Sequence, residues 1–574
     1  MVAGVMTPTG SRLLILRKKN SGTSPYRVFT LVIALLFLAA TRPATAVTDD
    51  GRIAVDGQPQ LETSPGLAEN WISKLKLPKS AYEVNDSVSN LLGLQLPGWA
   101  PRLLGIQFTG IYQNMPSFHS PAAVSTNSMS DPSAPVTNQT KPAVEKSSEV
   151  QEQSWNWHVQ NTDIVQGYPR FSSKYSGPNS LPSGGETRES VSLDLMAGIR
   201  LWRGAEAHID GMMWQGFGLN NTRGVEGFPN GEALRLGTGV PNGAITRLFI
   251  RQTIGLGGEQ EDVPDDQFTL AGKQDVSRLT FTLGRMSVKD IFDNNAYAND
   301  PQTQFMSWAL MANEAWDYPA DAIGYTTGVA VELNQPKWTL RYGFFQVPRF
   351  SNSLTAEDRI FKWPYDNSAQ DGPLLDAWGM VTEFEFRYSV NTHPGVVRFL
   401  AYLNRANMGS YQDAVNSPTR PADITASAEF RYKYGFGLNL EQEIVKNLGV
   451  FSRVGWSDGR NQAWVFSDVD YTATAGISVK GEAWQRPDDT FGLAGVLNGI
   501  SKVHQKFFEA GGTGILAGDG ALNYGWEKIL ESYYDFKIWK TIHGAVDYQF
   551  INNPAFNRDR GPVSVFGARL HWKF

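Results

Sequence analysis

The chain contains no cysteine. That excludes a disulfide scaffold, a Cys-ligated zinc or iron–sulfur site and a thiol nucleophile. Histidine is also scarce, at seven of 574 residues (119, 158, 208, 393, 504, 543 and 571), with no HExxH pairing and no tight cluster. No catalytic cofactor or resident metal is expected from such a set. Beyond the first fifty residues, no segment approaches the ~20 consecutive apolar residues that a membrane helix needs. With mean hydropathy at −0.30, helical membrane proteins are excluded. Membrane strands are not, because they alternate apolar and polar residues and average to neutral hydropathy.

The first fifty residues read as a targeting segment. Arg12, Arg17, Lys18, Lys19 and Arg27 precede an apolar stretch from Val28 to Ala40, and Ala44-Thr45-Ala46 supplies a small-x-small cleavage signal. This is the three-part layout of a secretory signal peptide over residues 1–46. Those residues hold six Lys/Arg and no Asp/Glu. The expected mature chain, 47–574, therefore carries 45 basic against 57 acidic residues, a net of −12 rather than the −6 of the whole sequence. Such a chain is a poor nucleic-acid binder, and none is expected as a partner. If the charge lines a pore, cations and neutral solutes pass more readily than anions.

Residues 47–153 form an extension before the patterned part. Within it, 121–153 is rich in Ser, Thr, Pro and Ala, lacks aromatic residues, and reads as a linker. From Ser154 the period changes to two. Apolar residues occupy the odd positions of Val191–Leu201 and the even positions of Tyr434–Leu440, while Phe384, Phe386 and Tyr388 alternate with Glu383, Glu385 and Arg387. About sixteen such segments run from 154–168 to 562–574, among them 246–257 and 276–288, separated by Gly, Pro, Asn and Asp. Many span 10–14 residues, against a mean near 5–6 for soluble strands and roughly 9–11 for tilted membrane strands. In Phe566–Phe574 the even positions (Phe, Ala, Leu, Trp, Phe) are apolar and the odd ones (Gly, Arg, His, Lys) are not. The fold expected is all-β, a transmembrane antiparallel barrel of about sixteen strands over 154–574. Phe574 is expected to act as the signal read by outer-membrane assembly machinery, and membrane lipid would surround the apolar faces. The site expected is the cell outer membrane.

Residues 107–120 and 160–173 share the frame Q-x-T-x-I-x-Q-x-x-P-x-F-x-S. A duplicated strand would make seventeen, but single-chain bacterial barrels have even counts. Sixteen wall strands with one copy outside the wall are expected, and eighteen strands using both copies is the alternative.

Asp290–Gly324 stands out. Its thirty-five residues hold six carboxylates (Asp290, Asp293, Asp300, Glu314, Asp317, Asp321), six aromatics (Phe292, Tyr297, Phe305, Trp308, Trp316, Tyr318) and no Lys or Arg. A connection of that length is usually functional, and Phe305–Ala315 is expected to form a short helix. Sugar C–H faces pack on aromatic rings while carboxylates and amides bond their hydroxyls. Asp293, Asn295, Tyr297, Asp300, Trp308, Glu314, Trp316, Asp317 and Asp321 are therefore candidates for a solute pathway. On polar strand faces, Asp194, Arg200, Arg341, Glu383, Glu385 and Arg387 are candidates to set the lumen field. Asp293-x-Asn295 lacks the Gly and Glu that a calcium loop requires. The paired carboxylates Glu383/Glu385 and Glu441/Glu443 are two residues apart, as on any polar barrel face, and there is no G-x-S-x-G.

The chain resembles the OprB-type carbohydrate-selective porins of Gram-negative outer membranes through most of 154–574. The resemblance rests on YSGPNSL (175–181), GVEGFPNGE (224–232), RLFIRQTIGLGG (247–258), DIFDNNAY (290–297), DYPAD (317–321), residues 338–343 and the final Gly567–Phe574. It implies a sixteen-stranded barrel, passive diffusion of glucose-like sugars, and a constriction of charged and aromatic side chains. The expected function is passive, carbohydrate-selective diffusion into the periplasm. The alternatives are a general, mildly cation-preferring porin, a barrel-anchored hydrolase, and a blocked binding or adhesion barrel.

Overall fold

The computed structural model describes residues 151–233, 237–348, 351 and 376–574. The signal peptide, the extension up to residue 150 and the 107–120 copy of the repeat lie outside the described residues.

Among the described residues, eighteen strands follow in chain order. They are β1 (Trp155–Tyr168), β2 (Glu186–Trp202), β3 (Ala205–Gly216), β4 (Thr238–Gly255), β5 (Gln260–Val263), β6 (Gly272–Asp275), β7 (Arg278–Met286), β8 (Thr326–Asn334) and β9 (Trp338–Gln346). There follow β10 (Trp378–Val390), β11 (His393–Met408), β12 (Glu429–Val445), β13 (Leu448–Ser457), β14 (Tyr471–Gly481), β15 (Arg486–Gly499), β16 (Glu527–Trp539), β17 (Ile542–Asn552) and β18 (Val563–Lys573). All but β5 and β6 form one closed antiparallel barrel, sixteen strands around, in which β18 pairs with β1. The 160–168 part of the repeat is therefore wall. Closure leaves no unpaired backbone edge, the condition for a sheet to cross lipid. The last register is completed by Phe574, whose N–H donates to the Val159 carbonyl (2.8 Å) while the Val159 N–H donates back (3.0 Å).

The alternation in the sequence maps directly onto inside and outside. In β10, Phe384 and Phe386 face outward while Glu383 and Glu385 are buried inside. In β18, Phe566 and Phe574 point out while Arg569 and His571 point in. Exposed aromatics sit at both ends of the wall: Trp157, Trp202 and Trp539 at one, Tyr432, Trp526 and Phe566 at the other. These are the interfacial girdles of a membrane barrel.

Connections are unequal at the two ends. At one end most are short, including 203–204, 391–392, 446–447 and 540–541. Asn391 and Thr392 both take positive φ (49° and 71°), as a two-residue hairpin turn requires. The other end carries long connections. One of these, 287–325 between β7 and β8, folds back inside the barrel and is called the inner loop below. Its regular structure is a 3-10 turn at Val288–Asp290 and one α-helical turn, α1 (Trp308–Met311), the latter shorter than the helix expected over 305–315. The backbone on either side is committed elsewhere: the Met306 and Ser307 N–H groups donate to Glu531 (2.5 and 3.1 Å) and the Asn313 N–H to Asp293 (2.7 Å).

Candidate functional site

The inner loop stays in the lumen because inward side chains of the wall hold its backbone. Arg453 on β13 is fully buried and donates to the Leu310 carbonyl (2.8 Å), the Asp293 carbonyl (3.0 Å) and the Asp293 carboxylate (3.1 Å). Arg569 on β18 donates to the carbonyls of Pro301 (2.8 Å) and Gln304 (2.7 Å). Glu383 on β10 accepts from the Asp293 N–H (2.7 Å), and Glu441 on β12 from the Ala296 N–H (2.6 Å). Gly437 and Gly455 leave room for the Asn313 amide, which a Cβ at either position would strike. An irregular loop carries many backbone groups that need partners when buried, and the wall supplies them.

Between the inner loop and β2, β3, β4 and β7 lies a cavity of about 500 Å3, within the range of small-molecule sites. Its charged border comprises Asp194, Glu232, Asp266, Asp290 and Asp300 against Arg247, Arg251 and Lys289. Arg247 is held by Asp210 (2.7 Å) and by both oxygens of Asp290 (2.8 and 2.9 Å). Its guanidinium lies 4.5 Å from the Phe268 ring centre and 5.0 Å from that of Tyr325. Burial pushes the Glu232 carboxyl up to about 7, despite hydrogen bonds from Ser192 (2.5 Å) and Gln302 (2.9 Å) that favour its charged form. Burial likewise lowers the Lys289 ammonium to about 8, against the pull of Asp293.

The aromatic border is a stack. Trp308 lies against Phe228 (ring centres 4.9 Å apart) and Phe466 (4.8 Å), and Tyr318 against Phe466 (4.7 Å). Phe228, Trp308 and Tyr318 are buried largely by one another, whereas Phe466, Tyr325 and Phe268 remain partly open. Trp308 thus backs the surface that Phe466 presents.

The candidates from sequence separate into two groups. Asp194, Asp300 and Trp308 border the cavity. Asp194 accepts from Gln160 (3.0 Å), and Asp300 from Thr303 (2.8 Å). The others are engaged elsewhere. Asp293 pairs with Arg453, and Asn295 bonds Asn439 (2.8 Å). Burial alone would raise the Asp293 carboxyl, but Arg453 and Lys289 with the Asn313 N–H hold it below its ordinary value. Tyr297 packs beside Gly449. Glu314 accepts from Asn498 (2.6 Å), and burial with the nearby Glu527 charge raises it well above the usual range. Trp316 is in the core behind Tyr318 (5.4 Å). Asp317 accepts from the N–H groups of Trp464 and Val465 (2.9 Å each), and Asp321 pairs with Arg285 (2.6 Å). Arg341 bridges Glu332 (3.0 Å), Glu383 (2.8 Å) and Glu385 (3.0 Å), and Arg387 pairs with Glu385. Arg200 donates to the carbonyls of Gln153 (2.9 Å) and Ala271 (3.3 Å) near the wall's short-turn end.

Glu232, Arg247, Arg251, Phe268 and Phe466 were not singled out by composition. Two signals for them existed, since Glu232 ends GVEGFPNGE and Arg247 opens RLFIRQTIGLGG. The first run is locked onto the inner loop by Trp308 N–H to Phe228 carbonyl (3.0 Å) and Gly231 N–H to Met306 carbonyl (2.7 Å).

Residues 179–574 match the sequence model of the carbohydrate-selective porin, OprB family. Among curated proteins, the chain is 22% identical over 321 residues to Porin AaxA of Chlamydia trachomatis serovar D, covering 55% of this chain and 58% of that protein. It is 22% identical over 335 residues to Porin AaxA of Chlamydia muridarum, covering 57% and 60%. The chain thus spans about three-fifths of the length of these relatives. Among solved structures, OprB of Pseudomonas putida at high pH shares the fold with a TM-score of 0.54 at 17% identity, over 73% of this chain and 94% of that one. The family and the fold are those of a channel in the outer membrane. The family match covers well over half of the sequence, and the chain belongs to the OprB family of carbohydrate-selective porins.

Proposed function

We propose that the barrel lets small neutral carbohydrates, of the size of glucose, diffuse passively into the periplasm. The observation that carries this reading is the make-up of the cavity border. Partly open aromatic rings (Phe466, Tyr325, Phe268) share it with amides and carboxylates (Gln160, Gln302, Asp194, Glu232, Asp300). A pyranose offers an apolar face to the first and hydroxyls to the second. At this border Arg247 is paired with Asp290 and Lys289 with Asp293, while Asp194, Glu232 and Asp300 accept from the neutral donors Gln160, Ser192 and Thr303, so a neutral solute meets groups already arranged for hydrogen bonding. Contacts of this kind are weak enough individually to release the solute. Phe574, which closes the ladder against Val159, serves in assembly into the outer membrane, and the outward aromatics contact its lipid.

A second reading, a general porin with mild cation preference, is favoured by the five carboxylates against three cations at the border. Planar-bilayer current with glucose, maltose or a sugar acid added separates the two. Carbohydrate selectivity predicts concentration-dependent block by the neutral sugars and little by the acid. No block by any sugar, with cation-selective current intact, establishes the general porin instead.

A further inference from the structure

Short-turn connections elsewhere in the wall have two to four residues, but 256–277 between β4 and β7 is far longer. It forms a hairpin in which β5 pairs with β6, from Gln260↔Asp275 to Val263↔Gly272. Beyond these strands a further backbone pair, Asp266 with Thr269 (3.0 and 3.1 Å), narrows the tip to Gln267 and Phe268. Apart from Phe268 and the buried Leu270 the tip is polar, and hydrogen bonds to the wall set its position.

The Asn156 amide on β1 donates to the Asp265 carboxylate (2.8 Å) and to the carbonyls of Asp266 (2.9 Å) and Thr269 (3.1 Å). Arg251 on β4 donates to the Phe268 carbonyl (2.7 Å), and the Gln267 amide reaches Gln160 (2.5 Å). These bonds fix the tip rather than the stem. They hold Phe268 half-buried, its ring 6.3 Å from Phe249, on the border of the cavity that the inner loop bounds from the opposite end.

The geometry points to this tip as a second selectivity element, in which Phe268 and Gln267 form an exit-side filter that sorts solutes by size and by apolar face after they pass the inner loop. Short turns face the periplasm in outer-membrane barrels, so the filter is the last contact before release. The inference rests on the proposed function for the neutral character of the solute and the direction of its travel. The filter itself depends on the hairpin alone.

The test compares Phe268→Ala and Phe268→Trp with the parent in liposome swelling, using mono-, di- and trisaccharides. Single-channel conductance is read on the same preparations, and heat-modifiable migration confirms folded barrels. Opening one aromatic contact should raise the di- to monosaccharide rate ratio roughly threefold or more in Phe268→Ala. Phe268→Trp should lower that ratio. Asn156→Ala, which frees the tip, should act in the same direction as Phe268→Ala. A ratio and conductance unchanged in both Phe268 variants overturn the filter. Should the parent pass no sugar while the two variants shift conductance in opposite directions, the filter stands and the carbohydrate reading falls.

Discussion

Replacing Arg453 by Met should release the inner loop while leaving the wall intact. The guanidinium makes three hydrogen bonds to the loop, two to Asp293 and one to the Leu310 carbonyl, and is completely shielded from water. Removing one partner of a buried ion pair costs about 3–5 kcal/mol because the other charge is left uncompensated. Asp293 keeps Asn439 (2.7 Å), the Asn313 N–H (2.7 Å) and Lys289 (3.4 Å), so the lower end, ~3 kcal/mol, applies. The sixteen-strand ladder does not depend on Arg453's side chain, and the loss falls on the local opening of the loop. Amide hydrogen exchange across 293–313 should then quicken by about a hundredfold, with exchange in β10 and β16 unchanged. Parent-like exchange in the loop of the single variant would refute the idea that wall side chains hold it in place.

Three further outcomes follow from the same geometry. As pH rises through about 7, Glu232 gains a negative charge at the cavity border. The cation-to-anion permeability ratio, from reversal potentials, should therefore climb between pH 6 and 8 in the parent, within about a unit of pKa, whereas in Glu232→Gln the climb around pH 7 should be lost and only the rise toward pH 8, where Lys289 sheds its charge, should remain. Trp308→Ala removes the centre of the aromatic stack at a cost of about 3–5 kcal/mol. It should raise single-channel conductance and noise, whereas Phe466→Ala should weaken block by sugars with little added noise. Phe574→Ala deletes the ring that lies 5.4 Å from Trp157 and should lower the yield of heat-modifiable barrel in outer-membrane fractions. An unchanged yield would remove the assembly role.

Strand parity was legible because lipid and lumen impose opposite demands on successive residues. Each segment expected in the wall has its strand, most edges fall within four residues of those expected, and the largest shift comes where local chemistry misleads. β4 starts at Thr238, eight residues before the expected 246, because Gly239, Pro241, Asn242 and Gly243 read as a turn although 242–244 pair with Met212–Trp214. Parity assigns a face but not a neighbour. It placed Glu383, Glu385 and Arg341 inside, yet they are engaged with one another and, through Glu383, with the inner loop. The density of carboxylates in 290–324 marked the right loop without distinguishing Asp300, at the cavity, from Asp293 and Asp317, which satisfy buried donors. Strands of four residues, as in the 260–275 hairpin, are too short to show a period. Their placement depends on Asn156, more than a hundred residues earlier.

The most direct test of the proposed function is liposome swelling by the purified, folded barrel in a series of uncharged sugars, with a sugar acid and an amine of matching size beside them. Passage between the Phe466–Trp308 stack and the acidic border predicts fast entry of monosaccharides, slower entry of disaccharides and exclusion of the acid. Swelling that follows charge and size alone, with a monosaccharide no faster than a non-sugar polyol of equal size, would contradict it.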